Sequence, residues 1–184
     1  MNDPRLATTL PHYLRPGLRL VFVGYNPGIE SARLGHYYAF RGNVFWRHLN
    51  QSGLVPETVG FEDDARLMDV AGIGFTDLCP RPTTRADELT AQEVAEGALR
   101  LHRELAEAAP RFAVFSGKGI WGHLGNHVLG FDRTRLAAVA FGEQPERLGE
   151  TRVWLIPSSS GLASKFHRLR LDLLREIAAA LDAD

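Results

Sequence analysis

The 184-residue sequence has a single cysteine, no apolar run near the thickness of a bilayer, and a formal net charge of only −1. The lone Cys79 excludes an intramolecular disulfide and any cysteine-rich zinc or iron–sulfur centre, which makes a reducing cytoplasm the simplest compartment. Met1 to Arg15 lack the apolar centre of a signal peptide. Nowhere do the ~20 apolar residues of a spanning helix follow one another, so neither secretion nor insertion is expected. Near-neutrality gives no bulk attraction for nucleic acid. Repeats, low-complexity tracts and interdomain linkers are also missing. What remains, with 45% hydrophobic and 23% charged residues, reads as one globular domain over 1–184, residues 1–15 being an N-terminal extension.

The charge that is present is unevenly placed. Residues 31–48 carry Arg33, His36, Arg41, Arg47 and His48 without an acid, and residues 161–170 carry Lys165, His167, Arg168 and Arg170 without one. If the two segments share a face, they form a local phosphate-binding surface on a neutral protein. Acids gather instead at Glu57, Glu62, Asp63, Asp64 and Asp69.

The most informative stretch is Leu18 to Gly28, an apolar run that ends in Gly24-Tyr25-Asn26-Pro27-Gly28. It reads as a buried strand entering a tight loop that holds Asn26 at the strand's carboxyl end, where open α/β sheets bind ligands. Residues 29–42 show no helical period and read as an ordered loop. Asn43 is placed to cap a short helix with Phe45, Trp46 and Leu49 that stops at Gly53; Phe45 and Trp46 are expected in the core. A helix is expected from Glu62 to about Val70, a strand over Ile73 to Leu78, and a helix from the Thr90/Glu93 capping box to about Ala109. Strands are expected at Phe112 to Phe115, Ala137 to Phe141 and Arg152 to Ile156, with a short helix over Ile120 to Val128 and a long one from Ser164 to Leu181. This alternation predicts an α/β fold, a three-layer α/β/α sandwich around a central, mainly parallel sheet. Lys118 in Ser-Gly-Lys-Gly lacks Walker spacing and is read as structural.

Two loops follow strand ends, Gly-Tyr-Asn-Pro-Gly and Pro157-Ser158-Ser159-Ser160-Gly161-Leu162. With Ser31, Ala32, Ala39, Asn43, Phe45 and Trp46 spaced behind the first, the chain resembles the mismatch-specific uracil/thymine DNA glycosylase family of the uracil-DNA glycosylase superfamily, from Leu18 to the C-terminal helix. The second loop mixes two branches: Ser158-Ser159-Ser160 is like the thymine-directed one, Gly161-Leu162 like the bacterial one. The resemblance implies hydrolysis of the N-glycosidic bond of uracil in duplex DNA, preferentially in U·G mismatches, by a monomer with no cofactor, no metal, no covalent lysine intermediate and no membrane partner. It implies a cytoplasmic protein, nucleoid-associated in a bacterium or nuclear in a eukaryote.

On that resemblance, Leu162 between Gly161 and Ala163 is the wedge that fills the space left by the flipped base. Tyr38 is the aromatic residue that stacks on uracil. Gly24, Tyr25, Ser31 and Ser158 line the base pocket, Ser31 near C5 of the base. Ser160, Lys165 and Arg168 are candidates for the DNA backbone. A neutral amide cannot take a proton, so Asn26 is assigned to orienting water and substrate. Bacterial relatives carry Lys where this chain has Asp77. A carboxylate there can act as a general base and stabilise oxocarbenium character, although it repels an anionic leaving group. The plain structural alternative is a strand-end Asp pairing with Arg81. Two other functions stay open at this point: a small-molecule nucleoside N-glycosidase, and a lesion-binding module that has lost catalysis.

Overall fold

The computed structural model of the chain describes residues 9–183, with the side chain of Leu162 outside the description. Strands β1 (Leu20–Gly24), β2 (Ile73–Asp77), β3 (Phe112–Ser116), β4 (Gly142–Leu148) and β5 (Thr151–Ile156) form one sheet in the order β2-β1-β3-β5-β4. The first four positions in that order are parallel, and β4 runs antiparallel at the edge. Because the parallel strands are covered on both faces, alternate residues enter different cores. Leu20 and Phe22 pack with Phe45, Leu49, Phe75 and Ile177 on one side, whereas Val21 and Val23 pack with Leu101, Leu105, Phe115 and Trp121 on the other. The three-layer sandwich expected from the sequence is present.

Helices α1 (Ile29–Leu34), α2 (Phe45–Ser52), α3 (Leu67–Val70), α4 (Ala91–Ala108), α5 (Lys118–Leu124), α6 (Arg133–Ala137) and α7 (His167–Ala183) make the outer layers. Thr90 and Glu93 form the expected capping box of α4, Glu93 N–H donating to Thr90 Oγ1 (3.2 Å) and Thr90 N–H to Glu93 Oε2 (2.8 Å). Asn43 acts one residue before the cap position of α2, its Oδ1 accepting from Phe45 N (2.9 Å).

Three local expectations are corrected. The stretch read as a loop after the first motif contains α1, closed by Gly35 in the left-handed region at φ 80°. The expected 62–70 helix is split into a 3₁₀ turn at Phe61–Asp63 and the four-residue α3, because Asp64 turns inward. Its carboxylate accepts hydrogen bonds from Tyr37 N (2.9 Å) and Ala65 N (2.7 Å) and faces His36 Nδ1 (3.1 Å). Of the expected strand at Ala137 to Phe141, Ala137 ends α6, which is capped by Asp132 with its carboxylate accepting from Arg135 N (2.7 Å), the rest is a turn, and the strand starts at Gly142. Within the expected N-terminal extension, Leu10 is buried and Tyr13 bridges Phe75 of β2 through paired backbone hydrogen bonds of 2.9 and 3.1 Å.

Candidate active site

The carboxyl ends of β1, β2, β3 and β5 open onto one cavity of about 550 Å³. It lies where the chain order in the sheet reverses around β1, the position at which doubly wound sheets bind ligands. Gly24, Tyr25, Asn26, Ser31, Tyr38, Asp77 and Ser158 all line it, together with Thr83, Ser116, Ser159 and Ser160. The predicted pocket residues therefore converge from three separate parts of the chain, and Ser116 adds a fourth.

Asn26 is fixed by its amide nitrogen, which donates to Thr83 Oγ1 (2.7 Å), Arg81 O (2.9 Å) and, more weakly, Pro27 O (3.3 Å). Two of these are carbonyl oxygens that can only accept, which sets the orientation of the amide. Oδ1 accepts no hydrogen bond among the described residues and is left for the cavity. The segment after β2 is itself held against the first motif, Thr83 N donating to Pro27 O (3.1 Å), Leu78 N to Gly24 O (2.9 Å) and Cys79 N to Tyr25 O (2.9 Å).

Asp77 ends β2, directly beside Gly24 in the parallel register. A Cβ at Gly24 would collide with Asp77 Oδ1, so any larger residue there would force the carboxylate to move. Asp77 is 6% exposed, and among the described residues its carboxylate has no ion pair or hydrogen bond. Arg81, its alternative partner, is bound to Glu93 instead at 2.5 Å. Burial pushes the Asp77 carboxyl up to about 7, against the pull of the Arg100 guanidinium, which donates to the backbone oxygens of Asp77 (2.6 Å) and Leu78 (3.0 Å).

Tyr38 forms an aromatic wall. Its ring stacks on Phe45 at 4.0 Å between centroids and 10° between planes, and its hydroxyl lies 3.5 Å from Ser116 Oγ. Burial and the nearby Asp77 hold the phenol well above its usual value, so it stays protonated. Tyr37 also borders the cavity, but its hydroxyl donates to Pro11 O (3.0 Å). Tyr25 lines the cavity, but its hydroxyl is bonded to His123 Nε2 at 3.0 Å.

The family model described as the uracil DNA glycosylase superfamily matches residues 11–182. The chain belongs to the uracil DNA glycosylase superfamily. It is 34% identical over 166 residues to the G/U mismatch-specific uracil DNA glycosylase of Schizosaccharomyces pombe, an alignment that covers 89% of this chain and 50% of that one. The chain thus spans about half the length of this curated relative. The solution structure of a protein from Methanosarcina acetivorans shares the fold with a TM-score of 0.61 at 20% identity, covering 96% of this chain and 98% of the other.

In this superfamily member the second motif borders the cavity from the β5 side. Ser158 Oγ donates to Ser160 Oγ (3.3 Å), Ser159 O accepts from Val44 N (3.2 Å), and Ser160 precedes a 3₁₀ segment, Gly161–Phe166. Gly161, Lys165 and Arg168 are exposed on this rim and Ala163 is partly so, while the expected wedge, the side chain of Leu162, lies outside the described residues. The two basic segments do meet, the His48 and His167 rings being 5.5 Å apart. They do not form a uniform phosphate surface: Arg33 is bound to Glu30 at 2.6 Å, and Arg170 is fully buried. Arg170 Nε donates to Pro157 O (3.1 Å) and Nη1 to His48 Nδ1 (3.1 Å). Burial pulls Arg170 down to about 10, and burial with the neighbouring Arg170, Arg47 and His167 pulls His48 down to about 4, so at neutral pH the arginine is charged and the histidine is not.

Sequence reasoning missed Thr83, Ser116, Asp64 and Arg170. Thr83 sits in Pro-Arg-Pro-Thr-Thr, which reads only as a strand breaker. The bridge between Gly28 and Thr83 makes it part of the first motif in space.

Proposed function

We propose that the chain is a monofunctional DNA glycosylase that flips uracil, preferentially from U·G mismatches, out of duplex DNA and hydrolyses its N-glycosidic bond to leave an abasic site, as an early step of base excision repair. The observation that carries this reading is that Asn26, held by its nitrogen so that Oδ1 is free, and the buried Asp77 carboxyl share one aromatic-walled cavity large enough for a flipped base. The U·G preference is supported by the likeness to the Schizosaccharomyces pombe protein, and mismatched pairs are the less costly ones to open.

Uracil stacks on the cavity face of Tyr38. A water accepts its orientation from Asn26 Oδ1 and stands against Asp77. The water oxygen bonds to C1′ of the deoxyribose while the C1′–N1 bond breaks, its electron pair leaving with uracil. The water proton passes to the Asp77 carboxylate, which suits a group that titrates near neutrality. The same carboxylate stabilises positive character on the sugar before attack. Ser31 and Ser158 contact the base, and Ser160, Gly161, Leu162, Ala163, Lys165 and Arg168 form the rim that meets the strand, binding duplex DNA as a monomer.

A single-turnover panel of U·G, U·A, T·G and single-stranded uracil substrates, read by alkaline cleavage, tests the proposal. U·G should be cleaved fastest; equal or faster cleavage of T·G overturns the ranking. Cleavage of free deoxyuridine with no action on duplex would replace the reading by a nucleoside N-glycosidase.

A further inference from the structure

The proposed reaction builds negative charge on uracil inside a cavity whose charged lining residues, Glu30 and Asp77, are both acids. A cation is nevertheless close by, behind the aromatic wall. The Arg170 guanidinium lies over the Phe45 ring, 5.3 Å from its centroid, and the same ring stacks on Tyr38 at 4.0 Å. Guanidinium, Phe45 and Tyr38 are thus successive neighbours, and Tyr38 in turn lines the base site.

The hydrogen bonds of Arg170 do not account for its charge. Pro157 O and the neutral His48 Nδ1 are both acceptors that an uncharged donor would satisfy. Its Nη2 has no partner, and among the described residues no acid pairs with it, although the side chain is 0% exposed. A buried cation without an anion weakens the folded state, so its retention calls for something that uses the charge. An anion forming against Tyr38 is such a use, because the low dielectric of the packed rings lets the field of the charge reach it.

We propose that Arg170 is a positioning residue whose positive charge, acting through the stacked Phe45 and Tyr38 rings, favours negative charge on the base leaving from the cavity. The inference rests on the glycosylase reading above. The centroid spacings place the guanidinium no farther than about 13 Å from a base stacked on Tyr38, and a unit charge at that distance in a protein interior changes a rate by about tenfold.

Excision of uracil and of 5-fluorouracil from the same mismatched duplex tests it under single turnover. Fluorine withdraws electrons, so 5-fluorouracil is a better leaving group with less need of the cation. Arg170→Gln keeps a donor for Pro157 and His48 but removes the charge. It should slow uracil release about tenfold and 5-fluorouracil release by about threefold or less, while Arg170→Lys should keep the wild-type ratio of the two rates. Equal slowing of both bases by Arg170→Gln overturns the inference and leaves the arginine a packing residue. Circular dichroism checks that the variant folds; if it does not, Arg170→Met fills the same buried space without charge and is held to the same ratio. Failure of the wild-type chain to release either base would instead overturn the glycosylase reading.

Discussion

Replacing Asp77 by Asn should slow the enzyme and stabilise the fold together, since both effects come from burying one carboxyl group. In the unfolded chain this group titrates at its ordinary 3.8, and in the folded chain near 7. Below the lower value both states are protonated and burial of charge costs nothing. Between the two, the unfolded chain releases a proton that the folded chain retains, so stability falls as pH rises. Above 7 the folded state carries the full cost, about 4 kcal/mol for this separation. Asn is neutral throughout. Wild type and Asp77→Asn should therefore unfold alike near pH 4 and diverge at pH 8, where the variant should melt on the order of 10 °C higher for a chain of this size. A positioned general base is worth about 100-fold or more, and the wild-type rate should rise with a midpoint near pH 7 while the residual rate of the variant stays flat across it. Urea unfolding at the two pH values and single-turnover excision on U·G duplex provide both readings. A variant that gains no stability at pH 8 would refute the burial of a charged Asp77, and an unchanged excision rate would remove it from the mechanism.

Three further outcomes follow from the same geometry. Thr83→Val removes the 2.7 Å acceptor that holds the Asn26 amide and should lower the excision rate roughly tenfold while costing only about 1 kcal/mol of stability, measured by single-turnover kinetics beside urea melts. Tyr38→Leu loses the ring that faces the base, and since stacking is worth ~1–3 kcal/mol per base, excision should slow about 10- to 100-fold; a wild-type rate would place the base elsewhere in the cavity. Lys165→Ala and Arg168→Ala should each reduce the salt dependence of duplex binding by about one phosphate contact, seen as a shallower plot of log affinity against log salt. An unaltered slope would take that residue off the DNA face.

The parts of the fold that were legible in the sequence are those buried on two sides. Leu20–Gly24, Ile73–Asp77, Phe112–Ser116 and Thr151–Ile156 read as strands because both faces need apolar side chains, and the loops at their ends gave the site its position. Edge strand β4, Gly-Glu-Gln-Pro-Glu-Arg-Leu, has one partner strand and only Gln144 and Leu148 buried, so it carries too little apolar signal to separate from a loop. In the same way Asp64 looked like a helix-end acid among acids, yet its burial breaks the expected helix and ties down the backbone next to Tyr38. Asn26 and Asp77 could be named because strand ends face the crevice. Thr83 could not, since its contact with Asn26 depends on how two loops of the fold cross.

Arg170 marks the deeper limit, because charge counting placed it with Lys165 and Arg168 on a solvated basic face. Helical geometry separates them: Arg168 is 95% exposed while Arg170, two residues later, turns under the second motif. A sequence states which charges exist but not which side of a helix they occupy, and here that decides between a phosphate contact and an electrostatic effect on the leaving base. The site that results has a carboxyl group lining the cavity and a guanidinium beneath its aromatic wall. Asp77, buried and unpaired, is suited to take a proton from water, but its charge alone would oppose departure of an anion. Arg170 lies outside the cavity, over Phe45, and in the proposed role its field favours that departure. If the two act in this way, removing Asp77 should affect attack on both uracil and 5-fluorouracil by similar factors, whereas removing the Arg170 charge should discriminate between them, and the double variant should still show that discrimination in its residual rate.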